Sequence, residues 1–345
     1  MKTKARFILS KSKVLEQYNK ICDTADEVSF SFKTNREVGF ILRDNTNCSF
    51  SVHSPRAIQL LKCPEKLWYF GQGFDNDELE LVFEKGVKRF VVDNNNDMNM
   101  LIEYAKQKNI QIDLLLRMRL KEKTVHTGKH FVFGFFSKEI NKLIPKLRSE
   151  KIIYNLGVHF HRKTQNISEW SLKYEIENIL EKSVLQIVDY VNIGGGIPTR
   201  YKNFKAEVLQ SIFKEIQEFR EFLKKFNTKM IIEPGRFIAA PPVKLTAKIM
   251  NIYDHNIIIG CSVYNGAMDT FVTNIRLEVQ GELDEKEGDA YTIKGKTPDS
   301  IDIFRYRVYL KNPKIGDYIT FLNAGAYTYS TDFCLLEPLE TEIID

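Results

Sequence analysis

Several residues whose side chains could take part in catalysis or ligand binding lie directly after short apolar runs of the chain. Lys33 follows VSFSF, His161 follows GVHF, and three glycines at 194–196 follow YVNI. Glu233 and Arg236 belong to the segment EPGR, which follows MII. Adjacent glycines cost backbone entropy and add no packing, so they need a reason, either a sharp bend or the close approach of backbone N–H groups to a bound anion. Which reason holds depends on the neighbouring residues.

Each of these residues has an ordinary explanation when it is taken alone. A lysine is usually solvated, a histidine on an apolar strand is usually a hydrogen-bonded core residue, and a glycine run is often a turn. Together they supply an amine that can bond to an aldehyde and an anion-binding loop beside an arginine. They also supply a carboxylate that can keep a ring nitrogen protonated and a histidine that can stack on that ring. These are the protein groups that pyridoxal 5′-phosphate requires.

The order of apolar runs predicts the elements that bring these residues together. Short β-type runs alternate with helical patterns, and in one helical pattern the apolar residues recur every three or four positions: Val208, Ile212, Ile216, Phe219 and Leu223. The eight strand candidates are 28–33, 48–53, 66–71, 89–94, 111–118, 155–161, 190–196 and 230–236. Eight alternating units predict an α/β fold, a (β/α)8 TIM-type barrel; the count of eight disfavours the alternative, a doubly wound open sheet.

A barrel of this type places its active site at the carboxyl ends of its strands. The residues at those ends are Lys33, His53, Gly71, Asp93, Arg117, His161, the glycines at 194–196 and the segment 233–236. The fold therefore predicts that a lysine, histidines, carboxylates, arginines and a glycine loop lie together at this end of the barrel, which we call its mouth.

The pattern changes after about residue 240, where β-rich segments follow one another without a helix-length repeat. This change predicts a C-terminal all-β domain. We expect an N-terminal segment at 1–24 that packs partly on the β domain, a cofactor-binding barrel at 25–240 and the β domain at 241–345.

Composition excludes several classes of protein. The 345 residues are 43% hydrophobic and 28% charged, with a net charge of +5 and no basic block of the kind that binds nucleic acid. No stretch approaches 18 apolar residues, so we expect no membrane span. The five cysteines show no CxxC spacing, which indicates neither a disulfide framework nor a metal site. A reducing cytoplasm is the expected location.

Six segments of the chain resemble one known family. FSFKTN, GVHFHRKT, NIGGGIP and EPGRF are similar to the motifs of the fold-type III pyridoxal-phosphate-dependent decarboxylases, as are GKTPDSID at 295–302 and GDYITFLNAGAYTYSTDF at 316–333. This group includes the ornithine, diaminopimelate, arginine and carboxynorspermidine decarboxylases. The resemblance implies an enzyme that removes the α-carboxylate of an amino acid to give an amine.

The resemblance also implies roles for individual residues. Lys33 would bond to the cofactor, His161 would stack on its ring, Glu233 would pair with the pyridine nitrogen, and Arg117 would lie close to the ring. The residues expected to hold the phosphate are Gly195, Gly196, Gly235, Arg236, Thr164 and Tyr327. The expected assembly is a homodimer with shared sites, since Asp299 matches an acidic residue that reaches the neighbouring subunit's site in the relatives. The candidate substrate-binding residues are Asn265, Pro298, Asp299 and Asp302.

Three positions depart from the family pattern, and all three bear on the substrate or the proton transfer. Pro298 stands where the family usually has a cysteine that donates a proton to Cα. Asn265 stands where ornithine-type enzymes carry an acidic residue for the substrate's distal amine, and Ser51 stands where aspartate is common. We therefore expect an amino acid with a basic or extended side chain, such as a carboxy-polyamine or an N-acylated diamino acid of the siderophore-precursor type, as well as an ornithine- or lysine-like one.

Two alternatives remain open from the sequence. One is an alanine-racemase-type enzyme on the same barrel, although its lysine segment and C-terminal motifs differ from those of this chain. The other is a catalytically silent homologue that acts by pairing with a partner. The loss of the cysteine favours the silent homologue, whereas the intact lysine and phosphate motifs disfavour it.

Overall fold

A closed parallel barrel forms the first part of the chain and confirms the predicted fold class. The computed structural model describes residues 4–120, 133–204, 207–328 and 330–345. The strands of the barrel, in order, are β2 (Glu27–Ser31), β3 (Ser49–Val52), β4 (Leu67–Phe70), β5 (Arg89–Val92), β6 (Ile112–Arg117), β7 (Ile153–His159), β8 (Tyr190–Asn192) and β9 (Lys229–Ile232). Pairing of β2 with β9, in the register Glu27 to Ile231, closes the barrel.

Helices connect the barrel strands and cover their outer faces. The helices of the first part of the chain are α1 (Lys11–Asn19), α2 (Arg36–Asn45), α3 (Pro55–Leu61), α4 (Asn76–Glu84), α5 (Asn95–Lys108), α6 (Ser137–Leu147), α7 (Leu172–Ile179), α8 (Lys182–Leu185), α9 (Leu209–Lys224) and α10 (Arg236–Ala239). Ser54, Asp75 and Asn94 begin three of them, because each side chain accepts a hydrogen bond from a backbone N–H in the first turn. The predicted apolar face of α9 is buried, with Ile216 and Phe219 fully inaccessible.

The second sheet combines strands from both ends of the chain. Its strands are β1 (Ala5–Ser10), β10 (Val243–Tyr253), β11 (Asn256–Ile259), β12 (Glu278–Val279), β13 (Asp289–Lys294), β14 (Ile303–Leu310), β15 (Tyr318–Leu322) and β16 (Thr341–Ile344). β1 pairs antiparallel with β10 and parallel with β16, so the sheet is mixed. Two four-residue helices, α11 (Val263–Gly266) and α12 (Asp269–Val272), interrupt the segment in which the sequence predicted only strands.

Side chains fill the barrel towards the amino ends of its strands. The space for a site is therefore at the carboxyl ends. Trp68, Val91, Leu115 and Ile231 form a buried cluster inside the barrel. Beneath it, the guanidinium of Arg89 lies 4.0 Å from the Trp68 ring centre and forms an ion pair with Glu27. Within the residues that the structure describes, no helix is long and apolar enough to cross a membrane.

Candidate active site

Lys33 lies at the mouth of the barrel, in a single 3-10 turn at Phe32–Thr34 directly after β2. Its side chain opens into a cavity that Glu233 and His161 also line. Although the amine is open to this cavity, the surrounding protein displaces enough water to lower the pKa of Lys33, and Glu233 only partly opposes this effect. A lowered pKa favours the neutral amine, which is the form that attacks a carbonyl carbon.

Glu233 follows β9 and is a buried carboxylate held by three neighbours. Its Oε1 accepts hydrogen bonds from the hydroxyl of Ser51 at 2.9 Å and from the amide of Asn192 at 2.8 Å, and its Oε2 lies 3.3 Å from Nε2 of His159. Burial alone would raise the pKa of Glu233, but the contacts with the histidines and Asn192 outweigh burial and hold the pKa below its usual range. The site therefore presents a fixed negative charge at its floor.

Two histidines, one at the end of β7 and one just beyond it, line the same cavity. His159 ends β7, and His161 lies two residues further on, so both point to the same side of the strand. His159 is buried, which lowers its pKa; the rings of His161 and His53 are open to the cavity, yet the surrounding protein displaces enough water to lower their pKa values to about 3 and about 4. All three rings are therefore neutral near pH 7. His161 Nδ1 accepts a hydrogen bond from the backbone N–H of Gly195 at 3.1 Å, which leaves its proton on Nε2.

The glycine loop has the shape and the donors of an anion cradle. Gly196 adopts a φ of 98°, and a Cβ there would lie 2.8 Å from the carbonyl oxygen of Lys163. A Cβ on Gly235 would lie 2.5 Å from Oγ1 of Thr34. Within the described part of the chain, the backbone N–H groups of Gly196 and Gly235 form no hydrogen bond. Only glycine fits these positions, and the free N–H groups are suited to a phosphate.

Arg236 is buried behind this cradle and uses all five of its N–H donors. Its Nε donates to Oγ1 of Thr164 at 2.7 Å, and its two terminal nitrogens donate hydrogen bonds to the two carboxylate oxygens of Asp269. The remaining donors contact the hydroxyls of Tyr201 at 3.5 Å and Thr273 at 3.2 Å. Since Thr164 accepts from Arg236, its own hydroxyl proton is free for the cavity. Arg236 thus orients Thr164, and its charge is balanced by Asp269 of α12.

The loop that carries Tyr327 attaches the β domain to the turn that carries the lysine. The Tyr327 N–H donates to the carbonyl oxygen of Thr34 at 2.7 Å, and the Asn35 side chain donates to the carbonyl oxygen of Gly325 at 2.9 Å. The Tyr327 ring centre lies 4.6 Å from the guanidinium carbon of Arg236. Tyr329, which belongs to the same sequence motif, lies outside the described residues.

The structure brings together all the residues that the sequence predicted for the cofactor. One cavity is lined by Lys33, Arg117, His161, Thr164, Gly195, Gly196, Glu233, Gly235, Arg236 and Tyr327. Burial lowers the pKa of Arg117, and Asp93 and Glu233 oppose that shift. In sequence these ten residues span almost 300 positions, so their convergence is a property of the fold.

Of the four predicted substrate residues, Asn265 lines a cavity beside Lys33, whereas Pro298, Asp299 and Asp302 line neither cavity around this lysine. Asp302 is buried and accepts hydrogen bonds from the N–H of Val263 and the hydroxyl of Thr297, so its carboxylate supports a loop. Asp299 accepts a 2.5 Å hydrogen bond from the Tyr264 hydroxyl. Neither Pro298 nor Asp299 is among the described residues that line the two cavities around Lys33.

Sequence reasoning missed three residues that hold the cavity floor. His159, Asn192 and Ser51 contact Glu233, and Ser51 was noted only as a departure from a family pattern. The alternation of side chains along a strand was an available signal for His159, because it stands two residues before His161 on β7. For Asn192 no comparable signal existed, since an asparagine at a strand end is common.

The barrel part of the chain matches a known protein family. Residues 14–240 match the family described as pyridoxal-dependent decarboxylase, pyridoxal binding domain. The chain belongs to this family. The match confirms the resemblance noted in the sequence and the expected cofactor, pyridoxal phosphate.

Relatives and solved structures agree with this family. The chain is 24% identical over 300 residues to a diaminopimelate decarboxylase of Halalkalibacterium halodurans, covering 77% of this chain and 66% of that protein. It is 22% identical to an ornithine decarboxylase of Caenorhabditis elegans, covering 75% and 72%. The fold matches a lysine/ornithine decarboxylase of Vibrio vulnificus complexed with putrescine, with a TM-score of 0.83, 20% identity and coverage of 99% and 94%.

The cofactor fits the residues that are present. The free N–H groups of Gly196 and Gly235 and the hydroxyl of Thr164 suit a phosphate, Glu233 suits a protonated ring nitrogen, and Lys33 suits an aldehyde carbon.

The buried pair of Arg236 and Asp269 gives a prediction for stability. Asp269→Ala leaves the Arg236 charge buried without a partner, so we expect the free energy of unfolding to fall by about 3–5 kcal/mol. Asp44→Ala is the matched control, because its pair with Arg43 is on the surface and such pairs contribute at most about 1 kcal/mol. Urea denaturation of the two variants measures the difference in the free energy of unfolding. Equal decreases in the two variants would show that the buried pair stabilises the protein no more than the surface pair does.

Proposed function

We propose that this chain is a pyridoxal 5′-phosphate-dependent decarboxylase of an amino acid with a basic or extended side chain, and that it produces an amine. The observation that carries the proposal is the convergence of Lys33, His161 and Glu233 with the glycine cradle in one cavity. When bound, the cofactor supplies an electron sink, because its protonated pyridine ring draws electron density from the substrate's Cα as the carboxylate leaves.

Each residue of the cavity has a role in this reaction. Lys33 holds the cofactor at its aldehyde carbon, and Glu233 keeps the proton on the ring nitrogen by its fixed negative charge. His161 would stack on the ring as a neutral imidazole, so it would add no charge that competes with the protonated ring. Gly196, Gly235 and Thr164 bind the phosphate and fix the ring's position.

Protonation of Cα is the step for which this chain departs from its family's pattern. Pro298 has neither an N–H nor an acidic proton. The candidate groups are the Tyr327 hydroxyl and the Nε2–H of His161 in this cavity, and a water molecule held by Asp299 of the partner subunit. Because His161 is neutral, transfer of its Nε2 proton would leave an imidazolate, so the Tyr327 hydroxyl and the water molecule are better suited than His161.

The direct test is incubation of the cofactor-loaded protein with a panel of amino acids, with carbon dioxide and amine measured together. We expect equal amounts of the two products from at least one amino acid. Racemised substrate without carbon dioxide would point to the racemase reaction instead. The absence of any reaction across the panel would favour the silent homologue.

We further propose a homodimer with shared sites in the cytoplasm. Asp299 is half-buried and lies away from the Lys33 cavity of its own chain, which supports a role at a neighbouring site. Mixing an inactive Lys33→Ala protein with an inactive Asp299→Ala protein should restore activity, because each hybrid dimer has one intact site, about a quarter of all sites at equal mixing. A lack of recovery after subunit exchange, followed with size-tagged chains, would contradict shared sites.

A further inference from the structure

A second cavity opens beside the cofactor cavity, and we name it the distal cavity. It has a volume of about 650 Å³ and lies between the ends of β2 and β3, the loop after Tyr327 and the segment that leads into β16. Lys33 and His53 line both cavities, so the distal cavity adjoins the place where the amino acid must react. It is the available space for the substrate's side chain.

The charged groups of the distal cavity are mostly cationic. Besides Lys33, which the cofactor would occupy, Arg36 and Arg56 line it, and the acidic residue among the described lining residues is Glu37. Glu37 is already paired, since its Oε1 lies 2.9 Å from Nε of Arg36. The Arg56 side chain forms no ion pair or hydrogen bond with the part of the chain that the structure describes. A cation without a partner therefore faces the cavity.

Asn265 gives this wall of the cavity no negative charge for an ammonium group. Its amide is committed to the protein, because Nδ2 donates to the carbonyl oxygen of Glu337 at 2.8 Å and Oδ1 accepts from the N–H of Ser262 at 3.0 Å. The side chain is 3% exposed, so these bonds hold it in place. Asn265 forms part of the cavity wall, and among the described lining residues the acidic group is Glu37, which is paired with Arg36.

The remaining walls suit a chain of methylene groups. Val52, Ala57 and Leu60 line one side, and Leu339 lies on the segment before β16. An apolar stem of several carbons would bury its surface against these side chains while its end reaches the arginines.

From this arrangement we infer that the substrate is an amino acid whose side chain is several carbons long and ends in a carboxylate, which Arg56 binds. This inference rests on the proposed decarboxylase function. Arg56 is a specificity residue, because it binds the end of the substrate that does not react. Arginine is suited to this role, since its planar fork binds both oxygens of a carboxylate.

The test compares two amino acids that differ mainly at the distal end, L-2-aminoadipate with a carboxylate and L-lysine with an ammonium. We expect kcat/KM for aminoadipate to exceed that for lysine. Arg56→Gln should lower kcat/KM for aminoadipate at least about tenfold and change that for lysine less than about twofold, because only the first loses a charge-assisted contact. Arg43→Gln is the matched control, because Arg43 lies on α2 outside the cavity, and it should change neither value.

Binding without turnover separates this inference from the proposed function. Calorimetric titration of the cofactor-loaded protein with glutarate and with cadaverine should show tighter binding of glutarate, and Arg56→Gln should weaken that binding at least about tenfold. If glutarate binds through Arg56 and neither amino acid releases carbon dioxide, the decarboxylase proposal fails while the anion site stands. If lysine and cadaverine are preferred and Arg56→Gln changes nothing, the inference is wrong although the decarboxylase proposal survives.

Discussion

Lys33→Ala is expected to lower kcat at least about a thousandfold, a barrier increase of about 4 kcal/mol. The amine of Lys33 is open to the cavity at the end of β2, and its lowered pKa favours the form that bonds to an aldehyde. Without it, the cofactor is held only by its phosphate and ring contacts. Steady-state release of carbon dioxide measures the loss.

The control for this variant is Lys142→Ala, because Lys142 is exposed on α6 and lines no part of either cavity. It should retain full activity. A Lys33→Ala protein that retains more than about a tenth of the wild-type kcat would assign the attachment to another group, since that loss corresponds to only about 1.4 kcal/mol.

Glu233→Gln is expected to lower kcat about a hundredfold to a thousandfold while the affinity for the cofactor changes much less. Glutamine keeps the size of the side chain and one oxygen that can accept from Ser51 and Asn192. It has no negative charge to keep a proton on the ring nitrogen. The split between kcat and cofactor affinity distinguishes this electrostatic role from a loss of folding.

Glu65→Gln is the matched control, since Glu65 is exposed and far from the cavity. Cofactor affinity is measured by titration of each protein freed of cofactor. An unchanged kcat in the Glu233 variant would mean that another group activates the ring.

Local patterns were sufficient to predict the barrel and its mouth. Each of the eight predicted strands overlaps a strand of the structure, since apolar runs bounded by polar turns carry the signal locally. The positions of Lys33 and Glu233 at strand ends followed from the same patterns, because a parallel barrel gathers these ends at one edge.

Contacts between distant parts of the chain could not be read from local patterns. β1 pairs with β10 across more than 230 residues, and Asp269 lies in a four-residue helix that no periodicity could indicate. Asp269 binds Arg236 only because the β domain packs against the mouth of the barrel. The partners of Arg236 and the free N–H groups of the glycine loop are thus properties of the three-dimensional arrangement.

The distal cavity illustrates the same limit for specificity. The sequence shows Arg56 as one arginine among many exposed cations. Its position beside Lys33 and His53 emerges only when β3 and α3 are placed next to β2. The substitution of Asn265 for an acidic residue was visible in the sequence, whereas the commitment of its amide to Ser262 and Glu337 was not.

The most direct test of the central claim is to find where the cofactor is attached. The protein is loaded with pyridoxal 5′-phosphate, reduced with borohydride to make the attachment permanent, digested and analysed by mass spectrometry. We expect the added mass on the peptide that contains FSFKTN, at Lys33, and no stoichiometric label in the Lys33→Ala protein. Stoichiometric label at another lysine, or no label on the wild-type protein, would contradict the account.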